Sequence, residues 1–153
     1  MNEQIQNYLA GVETLKKAVA GLTPEQLKAR PLAGKWSTLE VVCHLADFEP
    51  ILADRMKRII SSHRPLLMGA DEAEFAAALA YPDRDAGEEL AIIENTRKQM
   101  AKILAKLPAD AWQRAGVHNE RGLVTLEQML GLATRHIPHP VGFIQEKRKA
   151  LGV

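Results

Sequence analysis

Ser37-Thr-Leu-Glu-Val-Val-Cys-His-Leu-Ala-Asp-Phe-Glu-Pro-Ile-Leu-Ala-Asp-Arg-Met-Lys-Arg-Ile59 is the stretch on which the fold turns. Ser37 with Glu40 three residues on is a capping box, in which each side chain satisfies the other's free backbone N–H at a helix start. Val41, Leu45, Phe48, Leu52, Met56 and Ile59 then recur at helical spacing. Pro50 falls inside this pattern, and the periodicity resumes at once, so the spacing predicts a kink rather than an end. A helix of this length with one apolar face needs partners to cover that face.

The partners are found on either side. Ile5, Tyr8, Leu9, Val12, Leu15 and Val19 form a stripe over residues 3–20 that stops at Gly21. Thr23-Pro-Glu-Gln26 is a second capping box and opens a short helix. Asp71 to Leu79 reads as a short Ala-rich helix between breakers. Leu90, Ile93, Arg97, Met100 and Leu104 are in phase over residues 85–107. Thr125 with Gln128 caps a last helix, whose stripe runs Leu126, Met129, Leu130, Ala133, His136/Ile137, Pro140, Val141 and Ile144. Residues 116–122 read as polar and flexible, and no alternating run predicts a strand. The expectation is an all-α four-helix bundle with short connecting helices, one domain over residues 1–153. The connections at 61–84 and 108–124 are long for an up-and-down bundle and are expected to cross over or rim one end.

Composition narrows the function. Hydrophobic residues make up 46% and charged residues 25% of the 153-residue chain, ordinary for a globular domain. A net charge of +1 offers no electrostatic footprint for nucleic acid or an anionic membrane. No apolar run approaches the ~20 residues of a membrane span. The single cysteine, Cys43, excludes an internal disulfide, and Met1–Gln6 lacks the pattern of a secretion signal, so a cytoplasmic location is expected. Cys43 points about 100° away from His44 around a helix and reads as a small core residue.

The candidate chemistry lies in histidine. His44 stands at the edge of its helix stripe, with Glu40 and Asp47 one turn away on either side. Carboxylates so placed orient metal-bound imidazoles. His136 falls on the stripe of the last helix, and His139 lies three residues on, among Pro138 and Pro140. Two histidines at such spacing can share a metal, although packing alone also accounts for them. His63 and His118 fall in connections and are expected at the surface, with His118 close enough to a bundle mouth to be a further candidate.

Trp36-Ser-Thr-Leu-Glu-Val-Val-Cys-His44-Leu-Ala-Asp47, followed about ninety residues later by Gly122-Leu-Val-Thr-Leu-Glu-Gln-Met-Leu130 and Arg135-His-Ile-Pro-His139, resembles the two helix signatures of the DinB superfamily. The resemblance covers nearly the whole chain. It implies a four-helix bundle, often a homodimer, with a divalent metal (commonly nickel or zinc) held by three histidines at one end. It further implies a thiol-dependent transferase with a small thiol ligand, or a metal-dependent hydrolase. Carried over by position, His44 matches the ligand of the second helix and His136 the first ligand of the fourth. The remaining ligand position is Pro140, which offers no donor atom. His139, Asp47 or His118 could complete the set. The alternative is a metal-free bundle that binds a small ligand, or serves for dimerisation, through the same cleft.

Overall fold

A computed structural model describes residues 2–153 of the protein. The expected helices form: α1 (Asn2–Val19), α2 (Pro24–Lys28), α3 (Thr38–Ser61), α4 (Glu72–Ala78), α5 (Ala86–Leu104), α6 (Leu126–Arg135) and α7 (Pro138–Leu151). The boxes at Thr23/Gln26, Ser37/Glu40 and Thr125/Gln128 are each closed by both reciprocal hydrogen bonds. Helix α3 runs unbroken through Pro50.

The long helices close into a ring, with α3 on α5, α5 on α1, α1 on α6 and α7, and α6 back on α3. The result is a four-helix bundle in which α6 and α7 together make the fourth member. Chain neighbours α1 and α3 lie across the diagonal, as do α5 and α6. The links at residues 20–37 and 105–125 therefore traverse an end of the bundle, whereas the 62–85 link joins two helices that touch.

Three short strands lie in these links, contrary to the strand-free expectation. β1 (Leu66–Leu67) pairs in parallel with β2 (Ala115–His118), which pairs antiparallel with β3 (Gly122–Thr125). Strands of two to four residues are too short to display a period of two, which is why the sequence pattern missed them. Gly122 adopts φ +72°, the left-handed geometry needed to turn residues 119–121 back into β3.

The last helix is also not continuous. It breaks at His136–Ile137 and restarts at Pro138. Inside one helix, Pro138 and Pro140 would each leave a carbonyl without its donor and clash with the preceding turn, at ~3 kcal/mol apiece. Restarting at Pro138 puts both prolines in a first turn, where no N–H has an intrahelical partner anyway.

Two apolar clusters fill the bundle. One gathers Tyr8, Leu52, Met56, Met100, Trp112 and Leu130, the other Val12, Leu15, Val42, Leu45, Ile93 and Ile144. Between them lies a buried polar layer. Arg97 and Glu49 are both 0% exposed and pair at 2.9 Å. Arg97 also donates to the backbone oxygens of Tyr8 and Ala133, at 2.5 and 2.7 Å, and the Tyr8 hydroxyl donates to Glu49 at 2.6 Å. One guanidinium thus touches α1, α3, α5 and α6. Gly11 makes room for it: a Cβ there would lie 2.5 Å from Arg97 Nη1.

Candidate metal centre

His44 is held in the second turn of α3, a helix whose start is pinned by the Ser37–Glu40 box. Its ring is buried against Trp36 and Phe48, with centroids 5.5 and 4.6 Å away. His136 sits at the C-cap of α6, where the break before Pro138 leaves its side chain facing α3. The two Nε2 atoms are 3.1 Å apart. The bundle thus brings together two imidazoles 92 residues apart in sequence.

Burial lowers the His44 pKa, against the opposing charges of Glu72 and Asp47. Burial, then His44 and Arg97, push that of His136 down to about 4. Both rings are therefore neutral at pH 7, the form that binds a metal or a neighbouring N–H. Nδ1 of each ring is buried with no hydrogen-bond partner.

Glu40 and Asp47 face elsewhere than the ring nitrogens of His44. The Glu40 carboxylate accepts from the Ser37 N–H at 2.7 Å and from Arg30. Asp47 receives both arms of Arg84 at 2.9 Å. The carboxylate beside His44 is instead Glu72 of α4, whose Oε2 is 3.7 Å from His44 Nε2. Nothing marked it in the sequence beyond its place in an Ala-rich helix. His139 is exposed, its ring against Phe143 at 4.7 Å. Pro140 is buried. His63 is exposed, as expected. His118, expected at the surface, is 3% exposed, because the alternation of β2 turns it inward, and its Nδ1 accepts the Glu120 N–H at 3.2 Å.

Two cavities meet at the imidazoles. One of about 480 Å³ is lined by Trp36, Val41, His139, Phe143 and Lys147. The other, of about 220 Å³, is lined by Phe48, Arg55, His118 and Met129. His44, Glu72 and His136 line both.

Among the described residues, no three His, Cys, Asp or Glu side chains are set as a ready-made metal-binding group. The two imidazoles nonetheless fit two ligand positions. With metal–nitrogen bonds of about 2.05 Å, a 3.1 Å separation corresponds to a bond angle near 100° at the metal, close to tetrahedral. A direct N–H···N hydrogen bond is the other arrangement this distance serves.

Comparison with known proteins agrees with the architecture. A protein of Oceanobacillus iheyensis named "Putative metal-dependent hydrolase" is 28% identical over 151 residues, covering 97% of this chain and 87% of its own. "Putative metal-dependent hydrolase YfiT" of Bacillus subtilis is 27% identical over 139 residues, covering 90% of this chain and 78% of its own. The YfiT structure, described as "a probable metal-dependent hydrolase with an unusual four-helix bundle topology", superposes with a TM-score of 0.90 at 26% identity. That match covers 98% of this chain and 86% of YfiT. A mycothiol-dependent maleylpyruvate isomerase shares the fold, with a TM-score of 0.70 at 14% identity, over 91% of this chain and 58% of its own. The family model of the DinB superfamily matches residues 9–144, and the chain belongs to that superfamily.

Proposed function

We propose that this protein is a metal-dependent hydrolase whose divalent ion, zinc or nickel, is held between Nε2 of His44 and Nε2 of His136. The observation that carries this reading is the convergence of two neutral imidazoles at 3.1 Å on a cavity of about 480 Å³. Imidazole suits both metals, and the names of the relatives support metal-dependent hydrolysis. A bound ion would supply a Lewis acid and a water acidified toward neutral pH.

The chain's own residues do the rest. Trp36 and Phe48 keep water from the back of His44 and fix its ring plane. Trp36 and Phe143 give the cavity an apolar wall for the body of a substrate. Lys147, 2% exposed, donates to the Phe143 carbonyl at 3.2 Å and lines the same cavity, so it can present its remaining N–H donors to a polar or anionic group.

A metal-free reading is favoured by one observation. The His44–His136 separation is also that of a direct hydrogen bond, and Pro140 offers no further ligand. In that case the same cleft binds a small molecule through the imidazole pair. Calorimetric titration of protein purified without a histidine tag separates the two. Zinc or nickel is expected to bind in a 1:1 ratio, and to bind far more weakly to the His44→Ala, His136→Ala double variant. Equal affinity in the two proteins would refute the metal centre.

A further inference from the structure

We infer that Glu72, carried by the short helix α4, is the third protein ligand of the His44–His136 centre, which makes the site a two-histidine, one-carboxylate set. The inference rests on the metal reading proposed above. It accounts for a fourth helix with proline at position 140: the missing donor is supplied from the α3–α5 connection instead.

Geometry brings the carboxylate to the imidazoles. Two ligands on a tetrahedral ion with bonds near 2.1 Å are about 3.4 Å apart. Nε2 of His44 is 3.1 Å from His136 Nε2 and 3.7 Å from Glu72 Oε2. Each separation is thus about 0.3 Å from a ligand edge. Glu72 is 65% exposed on its side chain, so a small torsional movement meets no packing resistance.

The backbone beneath Glu72 is fixed. Phe75, one turn on along the same face, packs on Phe48 at 5.4 Å, and Phe48 packs on His44. Asp71 caps α4 by accepting from the N–H groups of Ala73 and Glu74. Ahead of it, Arg55 grips the Met68 carbonyl, and Asn119 accepts from the Gly69 N–H at 2.7 Å. These contacts tie α4 and the segment before it to α3 and to the β2–β3 turn, beside His44. Among the described residues no Lys or Arg pairs with Glu72, and the basic group beside it is the His44 ring. A carboxylate 3.7 Å from one of two imidazoles that are themselves 3.1 Å apart is the group placed to complete their donor set. Two histidines and a glutamate form a donor set that leaves a fourth position for water, as in hydrolytic zinc sites.

The test uses full-length protein and the metal ion alone. Zinc affinity is measured by calorimetry, and cobalt(II) is added as a spectroscopic reporter of coordination. The proteins are wild type, Glu72→Gln, Glu74→Gln and the His44→Ala, His136→Ala double variant. Glu72→Gln keeps shape and removes the anionic ligand. Its zinc affinity is expected to fall by about 100-fold or more, beyond the 10–100-fold typical of outer-sphere partners. Its cobalt absorption should change in intensity and position. Glu74→Gln, on another face of α4, should match wild type. A Glu72→Gln affinity within about twofold of wild type, with binding lost in the histidine double variant, would overturn Glu72 as a ligand and leave the histidine centre standing. Wild type binding no tighter than the double variant would overturn both.

Discussion

Replacing Arg97 by Met tests the polar layer at the middle of the bundle. Met keeps much of the stem volume and removes every donor. Of the three acceptors released, the Ala133 carbonyl still receives the His136 N–H at 3.4 Å. Glu49 is different. It is 0% exposed and keeps only the Tyr8 hydroxyl at 2.6 Å. Breaking a buried pair by removing one partner costs about 3–5 kcal/mol, because the other charge is stranded. At about 3 °C per kcal/mol for a domain of this size, the midpoint should fall by about 9–15 °C. Against a total stability of ~5–15 kcal/mol this is a large loss. Urea denaturation gives the free energy directly. Adding Glu49→Gln to Arg97→Met removes the stranded charge, so the double variant should regain a substantial part of the loss and show strong coupling in a double-mutant cycle. A cost below about 1 kcal/mol for Arg97→Met, or a double variant no more stable than the single one, would refute the reasoning.

Gly11→Ala should destabilise the protein by about 1–3 kcal/mol in thermal melts, although Ala is the better helix former, because its methyl group would overlap the Arg97 guanidinium. Ser37→Ala should cost about 1–2 kcal/mol in urea denaturation, since the buried Ser37 Oγ accepts the Glu40 N–H at 3.1 Å at the start of α3. Burial pushes the Cys43 thiol up to about 12, so at pH 8 it is almost wholly protonated in the folded state. Ellman's reagent should therefore label it only under denaturing conditions, and rapid labelling of native protein would contradict this burial.

The starts of α2, α3 and α6 were legible because each begins with a capping box whose chemistry is local. Thr23, Ser37 and Thr125 announce their starts whatever the rest of the chain does. The pairing of His44 with His136 was within reach for a related reason, since each lies on or beside the apolar face of a helix bound to meet others. Glu72 was not legible. Its position depends on Phe75 reaching Phe48 and on Arg55 holding the Met68 carbonyl, contacts that no periodicity encodes. The inward turn of His118 likewise depends on a strand pairing too short to leave a pattern. The split between α6 and α7 was signalled by two prolines, but its position follows from where both can share one first turn.

Arg97 also has a bearing on how the helices align along their length. Its acceptors come from residues 89, 48 and 36 positions away in sequence, on three different helices. An apolar interface between helices tolerates sliding, because one leucine can take the place of another. A guanidinium with acceptors fixed on three sides does not. A slip of any one helix by a single turn, about 5.4 Å, carries that helix's acceptor out of hydrogen-bonding range. The charge would then sit dry and under-coordinated, at a cost of several kcal/mol. Mis-registered bundles with equally greasy cores are thereby set well above the native one, and Arg97 acts as an alignment pin through all four helices.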